Sequence, residues 1–283
     1  MMLPESRIYT CVDAPRKYAV HFLEGQKLVQ DMALMHQLNG SGFAFFRNIC
    51  LTVKPMLCLL KRSEYFGFYL NSEEPYFRLK IELTAGGAIR AMMLPEDFQE
   101  YPETVSGTLR LNKYSAKLKS PYQSVLEIQN QPLEKLSDQI LLYSYQMTGS
   151  VVVSESSDQS ILVLKLPGHG SLEEDDSQEN VMEIQPDQKI IFHEMLSRGE
   201  TSSEALKEIF INNGFDLLAQ REVFFRCNCS RKRMIQNLHL YQQNDPDPLF
   251  DENQTSLNVT CEYCKKEYQI TAEDLIQNPH VIN

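Results

Sequence analysis

The chain has 283 residues, 42% hydrophobic and 23% charged, which suits one or two globular domains and excludes a disordered chain. A net charge of −11 argues against a protein built to grip nucleic-acid phosphates or an anionic membrane surface. Much of that charge is local, in Glu173, Glu174, Asp175, Asp176, Glu179, Glu183 and Asp187, so the rest of the chain is closer to neutral.

In chain order, Met1 to Thr10 carries Pro4, Glu5 and Arg7 and lacks the apolar stretch of a signal peptide. Gly25 to Asn39 is predicted helical, with Leu28, Met32 and Met35 on one face and Asn39-Gly40 as its stop. The longest apolar run, Ile49 to Leu60, is broken by Lys54 and Pro55 and is no membrane span. Tyr76 to Leu83 alternates as a strand: Phe77, Leu79, Ile81 and Leu83 share one face, Arg78, Lys80 and Glu82 the other. Further strands are expected at Ala88 to Leu94, Gly107 to Leu111, Tyr122 to Ile128, Ser150 to Val153 and Ile161 to Leu166, with a helix after Ser137 ending near Gly149. The class is therefore α+β, with an N-terminal mixed sheet-and-helix domain over residues 1–172.

Composition shifts at Pro167-Gly168-His169-Gly170-Ser171, and the acidic stretch beyond cannot bury enough apolar surface to fold alone. Residues 173–222 are read as an acidic and helical linker. Within it Thr201 and Glu204 have capping-box spacing, Leu206, Ile209 and Phe210 form an apolar stripe, and Asn213-Gly214 stops the helix. So short a helix must lean on a folded neighbour, so these three residues are expected to pack against the N-terminal domain.

Residues 223–283 form a small C-terminal domain with C-x-C at Cys227 and Cys229 and C-x-x-C at Cys261 and Cys264. Four thiolates suit a closed, structural tetrahedral zinc site, so one Zn2+ per chain is the expected cofactor. Residues two apart in an extended segment point to one side, so Cys227 and Cys229 present both sulfurs together after extended Val223 to Arg226. Arg231, Lys232 and Arg233 follow at once, where cations favour thiolate, although a basic helix start on a solvated face explains them too. Met234, Leu238 and Tyr241 are expected to pack the module, and Asp245-Pro-Asp-Pro248 to turn. Cys11, Cys50 and Cys58 lie among apolar neighbours and are expected to be buried. With no signal peptide, the expected location is cytoplasmic, where cysteines serve as thiols or metal ligands.

Val223-Phe-Phe-Arg-Cys-Asn-Cys-Ser-Arg-Lys-Arg233, with Val259-Thr-Cys-Glu-Tyr-Cys-Lys-Lys-Glu-Tyr268 and Asp274-Leu275, resembles the C-terminal switch of the heat-shock protein 33 family, the redox-regulated 33 kDa chaperonins. Pro121-Tyr122 and Ser144-Tyr-Gln146 sit where that family has comparable residues. The sequence departs from it at Ser72-Glu-Glu-Pro75, where the family usually has a glycine-rich turn, and at Gly107, which stands for a glycine pair.

The resemblance implies an ATP-independent holdase whose N-terminal domain binds unfolded or partly unfolded clients. It further implies a quiet reduced state holding zinc, and an oxidised state with disulfides Cys227–Cys229 and Cys261–Cys264, an unfolded linker and, in active members, a homodimer.

The alternative is a zinc-ribbon module with a nucleic-acid-binding or purely structural role. Acidic residues outnumber basic ones over 223–283, which lacks the electrostatic footprint of nucleic-acid binding. An enzyme is not expected. The phosphate-cradling G-x-x-x-x-G-K-[ST] pattern is missing, and His193-Glu194 is followed by Met-Leu-Ser rather than completing H-E-x-x-H.

Overall fold

The computed structural model describes residues 3–115, 120–166, 184, 186–244, 249–251 and 254–277. It divides into two compact units, residues 1–225 and 226–283.

The first unit runs β1 (Arg7–Asp13), β2 (Tyr18–Glu24), α1 (Gln26–Met35), α2 (Gly40–Val53), β3 (Glu64–Glu74), β4 (Tyr76–Thr84), β5 (Ala88–Leu94), β6 (Thr104–Ser115) and β7 (Tyr122–Pro132). After these come α3 (Leu133–Gln139), β8 (Gly149–Val153), β9 (Gln159–Lys165), α4 (Pro186–Arg198), α5 (Ser203–Asn212), β10 (Asp216–Glu222) and β11 (Phe224–Phe225). Two sheets result, ordered β10-β1-β2-β9-β8 and β11-β5-β4-β3-β6-β7. Neighbours are antiparallel except β11, which runs parallel to β5. The α+β class read from the sequence is the one observed.

The inner face of the larger sheet is apolar at every second residue: Phe66, Phe68 and Leu70 on β3, Phe77, Leu79, Ile81 and Leu83 on β4. That face packs on α2, whose Phe45, Phe46 and Ile49 are fully buried. Gly40–Leu59 is, among the described residues, the one helical stretch long and apolar enough to cross a membrane, but it is mostly buried as this core helix. The smaller sheet is covered on both faces. Ile8 and Leu23 point into the main core, while Tyr9, Cys11, Val20, Phe22, Ile161 and Val163 meet α4 and α5.

Several expectations require correction. The first helix ends at Met35, and Gly40, expected as its stop, opens α2. α2 carries a stripe of Phe45, Phe46, Ile49, Cys50 and Val53 with Arg47 and Asn48 on its half-exposed side, which taking Ile49 to Leu60 as one apolar run passed over. β1, β2 and β3 went unpredicted, as did α4 and β10. β2 is buried at nearly every position, which removes the alternation that marks a half-exposed strand. The helix expected after Ser137 starts earlier, at Leu133, and passes into a π turn ending at Ser144. The cap of α5 is Ser202 rather than Thr201; its hydroxyl accepts from the Ala205 N–H at 3.4 Å. The residues of the expected boundary at 167–171 and of the turn at 245–248 lie outside the described residues, as does the acidic run except for Asp187.

Leu206 and Phe210 of α5 are buried and Ile209 partly so, with the Phe210 ring centre 5.4 Å from Tyr9 and 5.5 Å from Phe22. The chain then turns through Gly214 and adds β10 to the edge of the smaller sheet, pairing with β1.

Farther on, β11 is held from the core. The Gly87 carbonyl accepts from the Phe224 N–H at 3.2 Å and from the ammonium of fully buried Lys54 at 2.6 Å. Gly87 has φ +98, and a Cβ there would sit 2.2 Å from the Glu222 carbonyl, so only glycine fits. Burial lowers the Lys54 pKa to about 7. Gly107 (φ +148) lies where β3 and β7 each carry an extra residue opposite β6, and a Cβ there would meet the Asn71 carbonyl at 2.1 Å.

Candidate metal centre

The second unit contains α6 (Arg231–Asn244), the hairpin β12 (Ser256–Thr260) and β13 (Glu267–Thr271), and α7 (Ala272–Gln277). Its small core gathers Met234 and Ile235 from α6, Ile270 from β13 and Leu275 from α7 around buried Cys261. Arg231 is pinned to Asp274 and to the Gln269 carbonyl, and the Arg233 guanidinium donates to the Asn228 carbonyl at 2.9 Å. These two cations therefore fasten α6 to its neighbours. Leu238 packs partly on the core as expected, whereas Tyr241 is exposed.

The turn from β12 into β13 brings Cys261 and Cys264 together. The Lys265 N–H donates to the Cys261 carbonyl at 2.7 Å, the Cys261 N–H to the Lys266 carbonyl at 2.9 Å, and Lys265 takes a positive φ of 58. The Arg226–Cys229 segment, between β11 and α6, supplies the other two side chains. All four sulfurs lie within 4.8 Å of one another, with Cys227 and Cys261 3.7 Å apart and Cys229 and Cys264 3.3 Å apart. Four thiolates about 2.3 Å from a tetrahedral zinc would stand roughly 3.8 Å from each other, so the donor set and its spacing fit that ion. Among the described residues this is the one group of Cys, His, Asp and Glu side chains that could hold a metal ion, and His239 is not part of it.

Three sulfurs have hydrogen-bond donors. The Cys229 N–H serves Cys227 and the Lys266 N–H serves Cys264. The Tyr268 hydroxyl donates to Cys229 at 3.1 Å. Burial pushes the Cys227 and Cys264 thiols up. At Cys229 burial is outweighed by donation from Tyr268 and the other thiols, which brings it down to about 7. Tyr268 is the residue that sequence reasoning missed; its only signal was a hydroxylated aromatic on the strand leaving the C-x-x-C turn. Of the other thiols, Cys11 and Cys50 are buried and Cys58 partly exposed, with burial pushing Cys11 up to about 12 and Cys58 to about 11.

The family model for the Hsp33 protein matches residues 7–271. The 33 kDa chaperonin of Pelobacter propionicus is 24% identical over 243 residues, 78% of this chain and 76% of that protein. That of Citrifermentans bemidjiense is 22% identical over 238 residues, 78% of each. A shorter match, to the 33 kDa chaperonin of Agathobacter rectalis, is 32% identical over 82 residues, 29% of this chain and 28% of that one. The crystal structure of the 33 kDa chaperonin from Thermotoga maritima superposes with a TM-score of 0.65, covering 96% of this chain and 97% of the other at 13% identity, which speaks to the fold. With a family model spanning nearly its whole length, the chain belongs to the Hsp33 family.

Proposed function

We propose that the protein is a redox-regulated, ATP-independent holdase that binds unfolding clients after its four clustered cysteines are oxidised. Family membership supports the chaperone role, and the convergence of Cys227, Cys229, Cys261 and Cys264 carries the redox part. In the reduced state these side chains would hold one zinc ion, which when bound contributes folding free energy to a unit with few core residues of its own. Oxidation consumes the thiolates that metal binding requires, so the C-terminal unit loses its main support.

From the family resemblance, the pairs formed are Cys227–Cys229 and Cys261–Cys264. The sulfur distances of the reduced chain do not by themselves select them, so peptide mapping of the oxidised protein is the test. Cys227–Cys261 and Cys229–Cys264 bridges would overturn this pairing.

Residues 1–172 serve as the client-binding domain, 173–222 as the linker and 223–283 as the switch. The unit that bears the four cysteines follows β11 directly in the chain, and α5 covers Tyr9 and Phe22. Loss of the downstream fold loosens β10 and α5 and uncovers an apolar face, the kind of surface that binds other non-native chains. The active form is a homodimer in the cytoplasm, without nucleic-acid or membrane partners and without catalytic turnover. The deciding experiment follows aggregation of a heat-unfolded client with reduced and with peroxide-oxidised protein, both without nucleotide.

A further inference from the structure

We infer that Tyr268 is a positioning residue of the switch: its hydroxyl, bonded to the Cys229 sulfur, restrains oxidation of that thiolate and so sets how readily the switch responds. This rests on the thiol-switch reading above. The other donors to the sulfurs named here are backbone N–H groups of Cys229 and Lys266, which almost any residue could supply. Tyr268 differs because its donor belongs to a side chain, 3.1 Å from the sulfur. Its position is well held. Tyr268 pairs with Val259 across the hairpin, shares a face with fully buried Ile270 two residues on, and has the Lys266 ammonium 5.4 Å from its ring centre.

With hydrogen peroxide as oxidant, the Cys229 thiolate attacks one peroxide oxygen, the O–O bond breaks, and hydroxide leaves a sulfenic acid on the sulfur. A second thiolate then attacks that sulfur, forming the S–S bond and displacing a second hydroxide. Two electrons pass from the thiolate pair to the peroxide. In the first step the sulfur gives up the electron density that the Tyr268 hydroxyl is bound to, so the hydrogen bond weakens on the way to the transition state. A donor to a metal-bound thiolate thus makes the sulfur a poorer nucleophile.

Tyr268→Phe removes the donor and keeps the ring. A charge-assisted hydrogen bond, of which roughly half is lost at the transition state, predicts a rise of about fivefold in peroxide oxidation at Cys229. The readout is site-resolved alkylation followed by mass spectrometry, with zinc content and melting midpoint measured on the same reduced samples. Gln269→Ala, an uncharged change on the opposite, exposed face of β13 that spares the hydroxyl, should leave the Cys229 rate at its wild-type value. A Tyr268→Phe variant that holds one zinc and melts normally, yet oxidises Cys229 at the wild-type rate, overturns the inference. So does a uniform increase at all four cysteines, because that signals a loosened module. If Tyr268→Phe fails to hold zinc, p-aminophenylalanine at position 268, a weaker donor, carries the test: a raised Cys229 rate supports the role and an unchanged one overturns it. Wild-type protein that binds no metal when reduced and loses no thiols to peroxide would instead remove the switch reading itself.

Discussion

Replacing Phe210 with alanine removes a ring that is 1% exposed and touches Tyr9 and Phe22 edge-on or tilted, 5.4 and 5.5 Å between centres. Truncating a buried phenylalanine costs about 3–5 kcal/mol, and the two lost aromatic contacts put this site near the middle of that range or above it. Because the ring joins α5 to the smaller sheet, the loss falls first on docking of α5 rather than on the main core. About 4 kcal/mol raises the undocked population by roughly a thousandfold, up to the point where the segment is fully released. Trypsin reports this directly, since Lys189, Arg198 and Lys207 lie in α4 and α5. The reduced, zinc-loaded variant should be cut at these sites far faster than wild type and should suppress client aggregation before any oxidation. Ile211→Ala is the control, because Ile211 is 68% exposed on the same helix and its loss should change neither. Wild-type protection of all three sites in the reduced Phe210→Ala protein would refute the docking role of α5. Equal protection in reduced and oxidised wild type would refute the coupling between cysteines and linker.

Chelating zinc from the reduced protein should unfold residues 226–283 and loosen α5 and β10, while the main core around α2 and the larger sheet keeps its melting; collapse of that core together with residues 226–283 would contradict two independently built cores. Lys54 has a folded pKa of about 7, below its ordinary 10.5, so between those values the unfolded chain binds more protons and stability rises with pH. The penalty is fully present below pH 7 and gone above 10.5, and its slope approaches about 1.4 kcal/mol per pH unit, so Lys54→Met should abolish that rise in denaturant titrations between pH 7 and 9. A wild-type pH dependence that persists in the variant would assign it to other groups. Gly87→Ala should cost at least about 2 kcal/mol, because it sets a Cβ against the Glu222 carbonyl at a positive φ; a neutral result would show that β11 can shift without cost.

What the sequence revealed depended on whether a pattern survived burial. Tyr76 to Leu83 alternates because β4 has one buried and one open face, and it was legible to within a residue. β2 is enclosed nearly all round, so its period does not show and the sequence hides it. β10 was invisible for the opposite reason: apart from half-buried Leu217 its residues are exposed, and pairing with β1 holds it. The four cysteines were fully legible because metal-ligand spacing is local within each pair. What no local pattern could supply was the third dimension, in which the Tyr268 hydroxyl reaches Cys229, 39 residues away in the chain.

The most direct test of the central claim is a single comparison of aggregation suppression. Reduced, zinc-loaded protein and protein oxidised with peroxide, at equal concentration and without nucleotide, are each mixed with a thermally unfolding client while light scattering is followed. The oxidised form should hold scattering down at near-stoichiometric ratios, the reduced form should leave it close to the client alone, and reductant should return the oxidised form to the quiet state. Full suppression by the reduced, zinc-loaded protein would make it a constitutive chaperone and contradict the thiol switch.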